Sequence, residues 1–124
     1  MRFVIELPPV TKKNSQQIVR AGNRMKIIPS KKYREYESQC MPFLKPIHID
    51  YPVNIEAVYY MPTKRRVDLC NLHEALCDVL VKYGVIEDDN SKIIVSMDGS
   101  RVRYDKNYPR TEIIIERVET LSES

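Results

Sequence analysis

Hydrophobic residues recur along this chain with two periods, and the shorter one predicts strands. Residues 2–7 are rich in β-forming side chains and end at Pro8-Pro9, because prolines cannot donate to a β-ladder. A hairpin is predicted around Gly22, since glycine favours the turn. The strands predicted beyond the first lie at residues 16–20, 25–28, 53–61, 91–97 and 110–118.

The longer period predicts two helices. The first opens at Ser30, a favourable N-cap residue, and Pro42 is expected to end or kink it. The second is predicted over residues 69–83, with Gly84 as its stop signal. Its apolar stripe, at spacings of three and four, consists of Leu69, Leu72, Leu76, Val79, Leu80 and Tyr83.

This order of elements predicts an α+β fold, in which a mixed β-sheet carries the two main helices on one face. The 124 residues suit a single domain, which we place at residues 1–118, followed by a flexible tail at 119–124. The apolar runs are too short to span a bilayer, and the first residues lack the core of a signal peptide. We therefore expect a cytoplasmic protein without membrane contact.

The net charge of +3 conceals an uneven distribution. Residues 1–66 contain 13 Lys and Arg against 5 Asp and Glu, whereas residues 67–124 contain 7 against 12. Such a chain can bind a polyanion with one surface and a metal with another, unless the fold mixes the two halves. Three cysteines without a CxxC pair and only two histidines argue against structural zinc and predict free thiols.

Aspartates bracket the second predicted helix. Asp68 precedes it, where aspartate often serves only as an N-cap, and Asp88-Asp89 follow it in a sequence typical of turns. If Asp68 and Asp89 converge, their repulsion calls for a cation, and hard oxygen ligands favour Mg²⁺ or Mn²⁺. Such an ion polarises a phosphoryl oxygen and lowers the pKa of water. One helix face between the aspartates carries Asn71, Glu74, Asp78 and Lys82.

Two basic clusters accompany these acids and are predicted to hold DNA phosphates, which position a protein without reading sequence. They comprise Lys64, Arg65 and Arg66 before the second helix, and Lys12, Lys13 and Asn14 in the proline-bounded loop. His48 and His73 have no partner at metal-ligand spacing, and the sequence assigns them no catalytic role.

A family resemblance rests on an ordered set of motifs that covers most of the chain. Its most specific part runs from Arg66 to Leu72, continues at Asp78-Val79-Leu80, and ends with Gly84 through Asp88-Asp89. The other motifs are Leu7-Pro8-Pro9, Lys13-Asn14, Pro29-Ser30, Tyr33-Arg34 and Met61-Pro62. In these motifs the chain resembles the RusA-type endodeoxyribonucleases, Holliday-junction resolvases common in phages and prophages.

The resemblance implies a homodimer that cuts symmetric strands of a four-way DNA junction with Mg²⁺ or Mn²⁺. The acidic site of the family has the pattern Asp-x-Asp-Asn, followed by an acidic pair after the helix. By position, Asp68 matches the first aspartate and Asn71 the asparagine, while Asp89, with Asp88 beside it, matches the later essential aspartate. Asp68 and Asp89 are therefore the expected metal ligands, and Asn71 joins the expected DNA-binding residues.

Two positions depart from the family pattern. Cys70 stands where the family has its second aspartate, and Glu74 where the best-known member has a lysine that assists catalysis. A neutral thiol is a poor ligand for Mg²⁺, so Glu74, one turn on, or Asp78, a further turn along, is predicted to restore the charge. Two alternatives remain open: a junction-binding or DNA-binding protein of the same fold with impaired catalysis, and a non-enzymatic DNA-associated adaptor.

Overall fold

A five-stranded mixed sheet forms the centre of the computed structural model, which describes residues 1–12 and 16–119. β1 (Arg2–Ile5) pairs antiparallel with β7 (Arg110–Arg117), which in turn pairs antiparallel with β4 (Val53–Met61). β5 (Ile94–Ser96) and β6 (Arg101–Tyr104) both run parallel to β4 along its other edge. A separate antiparallel hairpin consists of β2 (Gln16–Ala21) and β3 (Arg24–Pro29).

The two predicted helices are present, and local signals account for their ends. α1 (Lys31–Gln39) starts at Ser30, whose hydroxyl accepts a hydrogen bond of 3.2 Å from the Tyr33 N–H. It stops before Pro42, which lies in a short 3₁₀ turn over Met41–Phe43. α2 (Leu69–Lys82) ends just before Gly84, which adopts a φ of +70° that favours glycine.

One core forms between the helices and one face of the sheet. Alternate residues of β4 are buried and point to this face: Val53, Ile55, Ala57 and Tyr59. The buried residues of α2 belong to the same hydrophobic cluster: Leu72, Ala75, Leu76, Val79 and Leu80. The Tyr33 hydroxyl of α1 donates to the Ala75 carbonyl oxygen of α2 at 3.5 Å, so the helices contact each other as well. The predicted α+β fold with a mixed sheet and two helices is confirmed.

The parallel edge of the sheet differs from the prediction. A strand over residues 91–97 was expected, but residues 91–93 form a turn and only Ile94–Ser96 pairs with β4. The second parallel strand, β6, falls in a stretch where no strand was predicted. The Asn54 side chain holds the chain between the two strands, because its Oδ1 accepts from the Ser96 hydroxyl at 2.5 Å and from the Asp98 N–H at 2.8 Å.

Two further predictions concern membrane-spanning helices and the C-terminal tail. Within residues 1–12 and 16–119, no helix is long and apolar enough to cross a membrane. The predicted flexible tail lies outside the described residues from residue 120 onward, as do Lys13 and Asn14 of the predicted second basic cluster.

Candidate active site

Asp68 occupies the N-cap position of α2, but its carboxylate does not cap the helix. The backbone carbonyl of Asp68 accepts hydrogen bonds from the Asn71 and Leu72 N–H groups, while its Oδ2 accepts one from Asn71 Nδ2 at 3.2 Å and none from any other described residue. The side chain is exposed beside the positive end of the helix dipole. The carboxylate of Asp68 is therefore free to bind a cation, with Asn71 holding its orientation.

Asp88 and Asp89 differ in what their side chains do. The carboxylate of Asp88 is used in its own turn, accepting from the Asp89 N–H at 2.7 Å and from Asn90 Nδ2 at 3.1 Å. Asp89 is exposed, and no cation from the described segments pairs with it. Of this acidic pair, Asp89 is the better candidate for a metal ligand.

The three cysteines are free thiols, as predicted, and they lie in different environments. Cys40 is buried and Cys70 is exposed near the start of α2. Burial raises the pKa of the Cys77 thiol to about 12, and the nearby charges of Asp89 and Asp78 add to the rise. The charge of Asp89 is therefore close enough to α2 to act on Cys77, in the second half of the helix.

Three of the candidate acids follow one another along α2, from the N-cap residue Asp68 through Glu74 to Asp78. In the part of the chain that the structure describes, no three His, Cys, Asp or Glu side chains come together as a metal site. Asp68 and Asp89 fit a hard divalent cation by their donor chemistry, because both are carboxylates without a cationic partner among the described residues. The convergence of these two aspartates stays a prediction.

Asp78 is neutralised by a residue predicted to bind DNA. Lys12 Nζ donates to Asp78 Oδ2 at 2.7 Å, and both side chains are about one-third exposed. The hydrogen bond to Asp78 raises the pKa of Lys12, and the charges of Glu37 and Glu74 contribute further. Lys12 thus already neutralises Asp78. Of the two acids, Glu74 is therefore the better candidate to restore the charge absent at Cys70.

The structure gives His73 a partner that sequence spacing did not reveal. The Tyr59 hydroxyl and His73 Nδ1 are 2.7 Å apart, and their ring centroids are 5.4 Å apart. Burial raises the pKa of Tyr59 and lowers that of His73, so the contact joins a protonated phenol and a neutral imidazole. This hydrogen bond joins β4 to the first half of α2.

A cavity of about 370 Å³ opens beside the segment that leads to Asp68. Prolines and a threonine from the loop after β1 form one wall, and the loop after β4 forms another. Its cationic lining consists of Lys32, Arg65 and Arg66, and no carboxylate of the described chain forms an ion pair with any of them. Lys32 was not among the predicted DNA-binding residues, although the Lys31-Lys32 pair directly follows the helix cap.

An available carboxylate beside an unneutralised cationic cavity is typical of domains that process phosphodiesters. The family model described as endodeoxyribonuclease RusA matches residues 6–116, and the chain belongs to this family. A 42-residue segment is 38% identical to the crossover junction endodeoxyribonuclease RusA of Aquifex aeolicus (strain VF5). That segment covers 34% of this chain and 33% of the relative, so the match spans about a third of the relative's length. The family resemblance found in the sequence is confirmed.

Proposed function

We propose that this protein is a metal-dependent endodeoxyribonuclease that resolves four-way DNA junctions by paired phosphodiester hydrolysis in recombination and repair. The observation that supports this proposal most directly is the Asp68 carboxylate, which makes no capping hydrogen bond. It lies next to the cavity that is lined by Lys32, Arg65 and Arg66. Membership of the endodeoxyribonuclease RusA family supports the same substrate class. The setting we propose is the cytoplasm of a bacterial cell, with a phage or prophage origin.

The mechanism assigns separate tasks to the basic and acidic residues. Arg65 and Arg66, with Lys64 beside them, hold the phosphates that flank the scissile bond, because cationic contacts to the backbone position the strand. Asp68 and Asp89 would hold Mg²⁺ or Mn²⁺, which supplies polarisation of the phosphoryl oxygen and activation of water. Asn71 keeps the Asp68 carboxylate in place through its side-chain amide.

Three further acids complete the proposed site. Glu74 is exposed on α2 one turn beyond Cys70, so its carboxylate can supply the negative charge that the thiol lacks. Asp88 orders the turn that presents Asp89. Asp78 acts at a distance by fixing Lys12 against α2, which places the loop after β1 at the wall of the cavity.

We further propose that the protein works as a homodimer on branched DNA. A four-way junction has two-fold symmetry, and a symmetric dimer presents one site to each of the two strands that are cut. Paired nicks then follow from the symmetry of the assembly.

One observation favours a second candidate function, a junction-binding protein of the same fold without catalysis. Cys70 is exposed at the position of a family aspartate, and the described residues contain no cluster of three metal-binding side chains. Such a protein would bind junctions equally well with and without a divalent ion, and an Asp68→Asn variant would behave like the wild type.

Cleavage of a synthetic four-way junction by the purified protein tests the proposal. We expect paired nicks in 10 mM Mg²⁺ or Mn²⁺, none in EDTA, and little cutting of a linear duplex with the same arm sequence. The metal should also raise the melting temperature, because a ligand that binds the native state stabilises it. Binding without cleavage in either metal would sink the catalytic proposal and leave the binding protein.

Lys32 provides a test of the basic cavity. A Lys32→Ala variant should bind junction and duplex more weakly, and the slope of log affinity against log salt should fall by about one, as for loss of one phosphate contact. The exposed Lys45→Ala variant, outside the cavity, is the matched control. Equal salt slopes for Lys32→Ala and the wild type would exclude Lys32 from the DNA interface.

A further inference from the structure

The strand β6 forms an exposed edge of the main sheet. It pairs with β4 alone, and within the described segments no strand covers its outer side. All four of its residues are exposed, including Val102 at 39% and Tyr104 at 46%. An exposed apolar strip at a sheet edge is a surface to which another molecule can bind.

The strand register places this strip beside the candidate active site. Tyr104 lies opposite Met61 and Val102 opposite Tyr59, so both side chains share the helix-bearing face of the sheet. Tyr59 is in turn bonded to His73 of α2. From the loop that leads to Asp68, Lys64 Nζ lies 5.2 Å from the centroid of the Tyr104 ring.

The charges around the strip identify the kind of partner. Lys64 lies beside the Tyr104 ring, Arg101 and Arg103 alternate with the strip on the opposite face of β6, and Lys106 follows the strand. These four cations are exposed, and none forms an ion pair with a carboxylate of the described residues. Two copies of such a surface would repel each other, whereas a polyanion is attracted to it. An exposed aromatic ring with cations around it is the surface on which nucleic-acid bases stack.

Tyr108, four residues after Tyr104, is held by internal contacts that Tyr104 does not share. Tyr108 donates to Glu6 Oε1, and the Arg110 guanidinium lies 4.5 Å from its ring centroid. Arg110 is held by Asp105 and Glu112, so that cluster is fully occupied with internal contacts. Within residues 1–12 and 16–119, the Tyr104 ring contacts Lys64 and no other charged or aromatic group, so it remains available.

We propose that Tyr104 and Lys64 form a stacking site for an unpaired or splayed DNA base at the branch point, an inference that rests on the proposed function. The Tyr104 ring contacts the face of the base, and the Lys64 ammonium binds an adjoining phosphate. Bases inside a duplex are stacked on each other and cannot reach the ring. The site therefore favours branched DNA over linear duplex, because unpaired bases are exposed at the branch point.

Binding and fluorescence in EDTA test the stacking site without cleavage. The probe is a four-way junction with 2-aminopurine at the branch point, and a linear duplex serves as the reference DNA. The wild type should quench the 2-aminopurine. Tyr104→Ala should lose the quenching and bind the junction about tenfold more weakly, as expected for loss of one stacked base, with duplex affinity unchanged.

Two further variants separate stacking from other effects. Tyr104→Phe keeps the ring and should behave like the wild type, while Met41→Ala removes an even more exposed apolar side chain elsewhere and should have no effect. If Tyr104→Ala binds and quenches like the wild type, the inference is overturned. A change in its sedimentation mass would overturn it too, because the strip would then be a contact between copies. Failure of the wild type to bind junctions at all would refute the proposed function itself.

Discussion

Replacement of Asp68 by asparagine should lower the rate of junction cleavage by about a thousandfold, while junction binding stays close to that of the wild type. The estimate follows from loss of a hard carboxylate ligand, since metal assistance is worth several kcal/mol and each 1.4 kcal/mol is a factor of ten. Single-turnover cleavage with saturating protein measures the chemical step. Gel-shift titration in EDTA measures binding separately.

The free energy of unfolding should show whether Asp68→Asn removes a metal ligand or a helix cap. The Asp68 side chain makes no capping hydrogen bond, and asparagine can still accept from Asn71. We expect the free energy of unfolding without metal to fall by no more than about 1 kcal/mol, through the weaker interaction with the helix dipole. The same substitution at the exposed Asp50, before β4, is the control. Cleavage by Asp68→Asn at the wild-type rate would remove Asp68 from the mechanism.

The elements with strong local signals were predictable from the sequence. Ser30 as a cap, Pro42 as a stop and the apolar stripe of α2 depend on residues close together in the chain, and the structure agrees with each. β6 was missed although Arg101-Val102-Arg103-Tyr104 alternates in polarity, because a strand of four residues gives too short a signal in the sequence. The segment between β5 and β6 is bonded to Asn54, a residue more than forty positions away, and such a long-range contact leaves no local signal.

The candidate site was predictable in its composition but not in its pairings. The sequence predicts Asp68, Asp89 and the basic run as site residues, because their order along the chain has a family pattern, and this assignment stays a prediction. It did not show that Lys12 binds Asp78, or that Tyr59 binds His73, since each bond joins segments that meet only in the folded sheet-and-helix layer. Charge pairing across the two halves of the chain thus uses some of the basic surplus, and the cavity around Lys32 keeps part of the rest.

Replacement of Cys70 by aspartate should increase activity, which few substitutions in an active site do. The thiol is exposed on the first turn of α2, and that turn carries no acidic residue. An aspartate there adds a hard ligand beside Asp68, so we expect cleavage in Mg²⁺ to rise by about tenfold or more. It also interacts favourably with the helix dipole, which should stabilise the protein without metal by about 0.3–1 kcal/mol.

The neutral variant Cys70→Asn separates charge from shape, since it has nearly the same size as aspartate without the carboxylate. If charge is what the site lacks, only Cys70→Asp gains activity and a larger rise in melting temperature on addition of Mg²⁺. Glu74→Gln completes the comparison. If Glu74 supplies the absent charge, the Glu74→Gln variant does not cleave. Adding Cys70→Asp to that variant then restores cleavage. If Glu74→Gln cleaves normally and Cys70→Asp gains nothing, then neither residue contributes a ligand, and Asp68 and Asp89 must suffice.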